Sequence, residues 1–148
     1  MSKRTIIKTV KCYLAHETRD GGAVVGLDGW RVAFIRALSA IGGGCTYTEA
    51  KGAYVHSTGR VQVEDVTVFE SQYEADKAVE LVPQLQALRE LLCRYGREAQ
   101  QASVRLVVDG RCLDLYETDF PAAAPTHREQ FDIAAYFEAG ANAAEVGA

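Results

Sequence analysis

Several patterns that commonly announce a function are missing from this sequence. Its four cysteines, Cys12, Cys45, Cys93 and Cys112, are scattered, and no two form a C-x-x-C pair. That removes the usual zinc signature. Cys12 and Cys93 fall in periodic apolar patterns, so the expectation is reduced, buried thiols. Long apolar runs are also missing, and none approaches the roughly 20 residues a membrane span needs. The start, M-S-K-R-T-I-I-K-T-V-K-C, has no apolar core of a secretory leader. These absences read as a cytoplasmic chain with no membrane partner. Positive charge is short: 16 basic residues stand against 20 acidic ones, a net of −4. A phosphate backbone needs a concentrated positive field, so nucleic acid is not the expected partner. Histidine occurs three times, at 16, 56 and 127. No Ser-His-Asp or Cys-His order can be read, and nothing implies a cofactor or a metal.

What remains is an ordinary globular composition, 48% hydrophobic and 24% charged over 148 residues. That suits one domain with a real core. Thr5 to His16 reads as a first strand, with Ile6, Val10, Cys12 and Leu14 on one parity. A helix follows from Asp28, where Trp30, Phe34, Ala37, Leu38 and Ile41 form one face. Gly42-Gly43-Gly44 ends it. Strands from Cys45 to His56 and from Arg60 to Glu70 form a hairpin turning at Ser57-Thr58-Gly59-Arg60. Valine parity switches within the second of these strands, which predicts a β-bulge at Glu64-Asp65 or burial on both faces. A second helix is expected over Ser71–Arg97, kinked or divided at Pro83. Ser103–Val108 and Cys112–Tyr116 read as a hairpin on Asp109-Gly110.

The order β-α-β-β-α-β plus one strand is the split βαβ arrangement. The fold class is therefore α+β, ferredoxin-like, with an added C-terminal strand. The crossover rule gives an antiparallel sheet ordered 4-1-3-2, with two helices on one face. This domain occupies residues 1–117. Residues 118–148 read as an Ala/Gly/Pro-rich tail with a short helix over 127–139, opened by a capping box from Thr126 to Glu129.

Four stretches, W-R-V-A-F at 30–34, G-C-T at 44–46, G-A-Y…G-R…E at 52–64 and Y-G-R-E-A-Q-Q-A-S-V at 95–104, resemble an uncharacterised family of short bacterial proteins. That family is known only as a domain of unknown function, and the resemblance spans Lys11 to Val108. It implies a ferredoxin-like fold and no particular reaction.

Candidate chemistry follows from topology. The first two strands are parallel and end at the same edge of the sheet. His16, Thr18 and Arg19 follow one of them; His56, Ser57, Thr58 and Arg60 follow the other. Arginine forks and hydroxyls suit a small anionic ligand of the nucleotide or phosphate kind, with Arg19, Ser57 and Arg60 as binding residues. The preferred function is non-catalytic binding of such a ligand or of a protein partner. The alternative is a metal-independent phosphoesterase. H-E-T at 16–18 and H-S-T at 56–58 resemble the paired motifs of two-histidine phosphoesterases, making His16, Thr18, His56 and Thr58 the catalytic set. An uncovered sheet face or edge strand also favours a homodimer, with Tyr13 and Tyr54 as candidates for the uncovered face.

Overall fold

The computed structural model describes residues 4–116 and residue 120; the expected tail and its helix over 127–139 lie outside these. The chain runs β1 (Ile7–Ala15), α1 (Leu27–Gly42), β2 (Thr46–Val55), β3 (Val61–Glu74), α2 (Val82–Glu98), β4 (Ser103–Val108) and β5 (Arg111–Tyr116). The strands form one sheet in the order β2-β3-β1-β4-β5, with every neighbour antiparallel. This is the α+β, ferredoxin-like arrangement with an added fifth strand. Both helices pack on one face, and among the described residues no helix covers the other.

Alternation along β1 explains the layering. Val10, Cys12 and Leu14 point under the helices and are fully buried. Lys8 shares their parity and is only 2% exposed, because its Nζ lies 2.6 Å from Asp109 Oδ2 in the β4–β5 turn. A lysine so desolvated needs that carboxylate. Against these residues α1 presents Phe34, Leu38 and Ile41, and α2 presents Leu85, Leu88, Leu92 and Tyr95, all buried. Phe34 stacks on Phe69 of β3 at 5.6 Å between ring centres. Trp30 and Leu81, expected in the core, are only partly buried at its margin.

Three local expectations are corrected. The register of β2 on β3 is unbroken from Thr46–Glu70 to Val55–Val61, so there is no bulge at Glu64-Asp65. Valine parity switches because the hairpin reaches past the helices, leaving Val61 and Val63 exposed at 63% and 57%. Residues 71–74 continue β3, and α2 begins only at Val82. Pro83 therefore lies in the first turn of α2. Its missing N–H costs nothing there, and it starts the helix instead of kinking it. The glycines after α1 divide their work. Gly43 takes the left-handed cap at φ 76°, whereas Gly42 lies against β3, where a Cβ would collide with Ser71 Oγ and Gln72 O.

Candidate functional site

The loop after β1 is pinned to the loop after α2. Arg19 N donates to Gln100 O at 3.0 Å, and Gln101 Nε2 donates to Glu17 O at 2.7 Å. Thr18 closes its own turn, its hydroxyl accepting from Gly22 N at 3.1 Å. These bonds hold Thr18, Arg19 and Gln101 at the end of the sheet where β1 finishes and β4 starts.

Beside them, on the open face, lies a basin of about 620 Å³. All five strands contribute: Tyr13 and Ala15, Gly52 and Tyr54, Glu64 and Val66, Ser103 and Arg105, and Asp114. The mixture is amphipathic, as ligand sites tend to be, with aromatic and small apolar walls and a few placed polar groups. Arg105 and Asp114 face each other across β4 and β5, with Nε 2.8 Å from Oδ1. Gly52 keeps the floor open, since a Cβ there would come within 3.1 Å of Val66 Cγ2 and 3.7 Å of Glu64 Cγ.

Two acidic groups in the basin are shifted. Partial burial pushes the Glu64 carboxyl above its usual range, and the negative charge of Glu17 pushes the same way. Burial also raises the Tyr95 phenol, with Glu64 adding to the effect. Tyr95 reaches this end of the sheet from α2 and donates its hydroxyl proton to Ala15 O. Its ring is fixed edge-on by Trp30 and Phe34, with centres 5.2 Å and 5.9 Å away. The phenol stays protonated at neutral pH, and its one proton remains committed to Ala15 O.

The residues proposed from sequence divide between the two sides of the sheet. Thr18, Arg19 and His56 line the basin. The His56 ring lies 4.9 Å from that of Tyr54, and its Nε2 is 2.7 Å from Gln62 Oε1. Arg60 folds back on it, Nη2 to Nε2 at 3.2 Å, outside the basin wall. Ser57 and Thr58 occupy the exposed hairpin loop and do not reach the basin. His16 is on the helix side. Its Nε2 lies 2.7 Å from Thr67 Oγ1 and 3.4 Å from Glu49 Oε2. Thr67 Oγ1 in turn lies 3.1 Å from Glu49 Oε2, and Arg31 Nη2 lies 3.5 Å from His16 Nε2. Arg31 closes the cluster, 3.0 Å from Glu49 Oε1.

His16 and His56 thus stand on opposite faces of the sheet. The cause is alternation: His16 continues the parity of Leu14, while His56 continues that of Tyr54. No single phosphoryl group can sit between them, and the paired histidine motifs do not assemble one site. Glu64, Tyr95, Gln101, Ser103, Arg105 and Asp114 are basin residues that sequence reasoning misses. Read from the sequence, Glu64 belongs to a bulge and Tyr95 to the core face of a helix. Parity with Tyr54 across an unbroken hairpin is the signal that would have found Glu64.

Among the described residues no three metal-ligating side chains cluster, and no helix is long and apolar enough to cross a membrane. No family model matches the chain, and no curated protein matches it. Two solved structures share its fold. One is a phage SAM lyase in complex with S-methyl-5'-thioadenosine, with a TM-score of 0.52 and 12% identity. The other is a phage SAM lyase in the apo state, with a TM-score of 0.51 and 15% identity. Each match covers 78% of this chain and 95% of the other. At such identities the likeness is one of fold.

Proposed function

We propose that the basin binds a small ligand of the adenine-nucleoside class. The observation that carries this reading is the basin itself: about 620 Å³ of open space lined by the aromatic rings of Tyr13 and Tyr54 together with polar groups. Aromatic side chains offer faces to a flat base. Ser103, Gln101 and Arg19 offer polar contacts to a sugar and its substituent. The lyase of similar fold holds S-methyl-5'-thioadenosine, which has the same division into a flat base, a polar sugar and a neutral tail. The anionic character expected from sequence gives way to a balanced one in this reading. Arg19 and Arg105 share the basin with Glu64 and Asp114, so the formal charges cancel and a phosphate-rich ligand gains little.

A second reading is favoured by Glu64. A carboxylate that burial has made costly is relieved by a cation placed beside it. S-adenosylmethionine carries such a cation in its sulfonium, and in this reading the ligand is a substrate: its own carboxylate displaces the sulfur, which keeps the electron pair as the neutral thioether of S-methyl-5'-thioadenosine, and the released carbon closes as a lactone with no co-reactant.

Thermal shift and calorimetry with S-methyl-5'-thioadenosine, S-adenosylmethionine and inorganic phosphate test both readings. A ligand at about 100 times its dissociation constant stabilises the native state by roughly 2.7 kcal/mol, which raises the melting temperature by several degrees. The expected result is a rise with the thioadenosine and none with phosphate. A rise with phosphate alone, or with none of the three at millimolar concentration, overturns the nucleoside assignment. Release of S-methyl-5'-thioadenosine from S-adenosylmethionine, followed by chromatography, separates the second reading from the first.

A further inference from the structure

β2 is a free edge. Among the described residues it pairs with β3 on one side and with no strand on the other. Every residue in it except Gly52 is exposed. It contains no proline, and its register on β3 is unbroken. A long edge without a bulge or a proline is a template for another strand.

The direction of its free backbone groups follows from one bond. His56 N donates to Arg60 O at 2.8 Å, so these two residues form a hydrogen-bonded pair. Bonded and non-bonded pairs then alternate back along the hairpin. Thr46, Thr48, Ala50, Gly52 and Tyr54 direct their N–H and C=O groups to β3. Tyr47, Glu49, Lys51, Ala53 and Val55 direct theirs to the open edge.

We propose that a second copy of this chain adds to that edge, β2 against β2 and antiparallel, about a two-fold axis at Ala50. Only outward-bonding residues can meet as hydrogen-bonded pairs, so the axis must pass through a residue and not between two. An axis at Glu49 sets Glu49 against its own copy. An axis at Lys51 sets Lys51 against its own copy. The axis at Ala50 sets Glu49 opposite Lys51 twice, with two small alanines at the centre. Directly opposed like charges destabilise a strand pair, and opposite charges stabilise it. The run Glu49-Ala50-Lys51 therefore selects one register. A lysine in mid-edge ordinarily repels added strands; here its complement is the same strand in a second copy.

Both charges can take the new partner. Glu49 is 53% exposed where it meets Arg31, and Lys51 is 71% exposed where it meets Asp65. The same register extends the basin. Gly52 and Tyr54 of one subunit come opposite Thr48 and Thr46 of the partner subunit, adding two hydroxyls beyond the β2 wall. The interface stands independently of the ligand assignment.

Sedimentation velocity on the full chain over a range of concentrations tests this. The expected species is a monomer–dimer equilibrium. Glu49→Lys alone, or Lys51→Glu alone, turns both pairs repulsive and should weaken the dimer roughly ten- to a hundredfold. Mixing the two variants should restore the dimer, because both cross-strand pairs then set a lysine of one chain against a glutamate of the other. That restoration also shows that both variants fold. A monomeric wild type, an assembly of more than two chains, a dimer indifferent to either reversal, or failure of mixing to restore association would each overturn the proposal.

Discussion

Gly42→Ala should destabilise the fold, although alanine is the better helix former. Gly42 is the last residue of α1, where the helix passes closest to β3. A Cβ built there meets Ser71 Oγ and Gln72 O at distances no real contact shows, and Gln72 N at 3.0 Å. Two of these three atoms are backbone and cannot swing aside. Helix propensity favours the substitution by about 1 kcal/mol. Against that, overpacking a close contact costs about 1–3 kcal/mol. Displacing Ser71 also breaks the bond its hydroxyl gives to Gly44 O at 2.7 Å, worth about 1 kcal/mol. The net loss is about 1–3 kcal/mol. Gly29 supplies the control in the same helix, because a Cβ there meets nothing within 4 Å. Gly29→Ala should be neutral or stabilising by up to about 1 kcal/mol. Urea denaturation of both variants measures the difference at a shared slope. A Gly42→Ala protein as stable as the Gly29→Ala protein would show that α1 does not cross β3 this closely. The packing that aims Trp30 at Tyr95 would then need a different explanation.

Two further outcomes concern the basin and its surroundings. Glu64 has a folded-state carboxyl raised by burial and by Glu17, so the native state binds its proton more tightly than the unfolded chain does. Stability is then lost as pH rises from the ordinary carboxyl value of about 4.3 through the raised one, and Glu64→Gln removes that loss. The variant should be more stable than wild type at about pH 8, with the advantage shrinking toward pH 4; an advantage that grows on acidification contradicts the assignment. The histidines should separate by assay. His56→Ala should weaken nucleoside binding roughly three- to tenfold. His16→Ala should leave affinity within about twofold and cost about 1–2 kcal/mol of stability through Thr67 and Glu49; the reverse pattern in calorimetry would move the site to the helix side.

The layers of this protein are written locally, and so they could be read. Val10, Cys12 and Leu14 alternate over a full strand, and Phe34, Leu38 and Ile41 recur at helical spacing. Asp109-Gly110 and Ser57-Thr58-Gly59 are turns whose chemistry is their own. With those elements in order, handed crossovers leave little choice of strand order. What could not be read depends on neighbours that sequence does not display. Ser71 to Glu74 look helical because Pro83 lies inside a longer apolar pattern, yet pairing with β1 from Ile7 to Val10 keeps them extended. Lys8 looks like a surface lysine until Asp109 arrives from the β4–β5 turn, 101 residues along the chain. Gly42 looks like a cap until β3 crosses beneath it.

The site is harder than the fold for one reason, visible in the two histidines. Topology brings the ends of β1 and β2 to one edge of the sheet, and the sequence shows that. Which face a residue takes at that edge turns on a single position of parity, and the added residues of a loop can invert it. Unbroken pairing of β2 with β3 carries His56 to the open face with Tyr54 and Glu64. The parity of β1 carries His16 under α1, to Arg31 and Glu49. Two similar tripeptides at one edge therefore point to opposite faces, as the period of two in a strand requires. The basin collects different groups, each also on the right parity: Tyr13 and Ala15, Gly52, Ser103, Arg105 and Asp114. Alternation from Tyr54 leads to Gly52 and, across the hairpin, to Glu64. Assigning the face before the motif is what turns a list of polar residues at a sheet edge into a site.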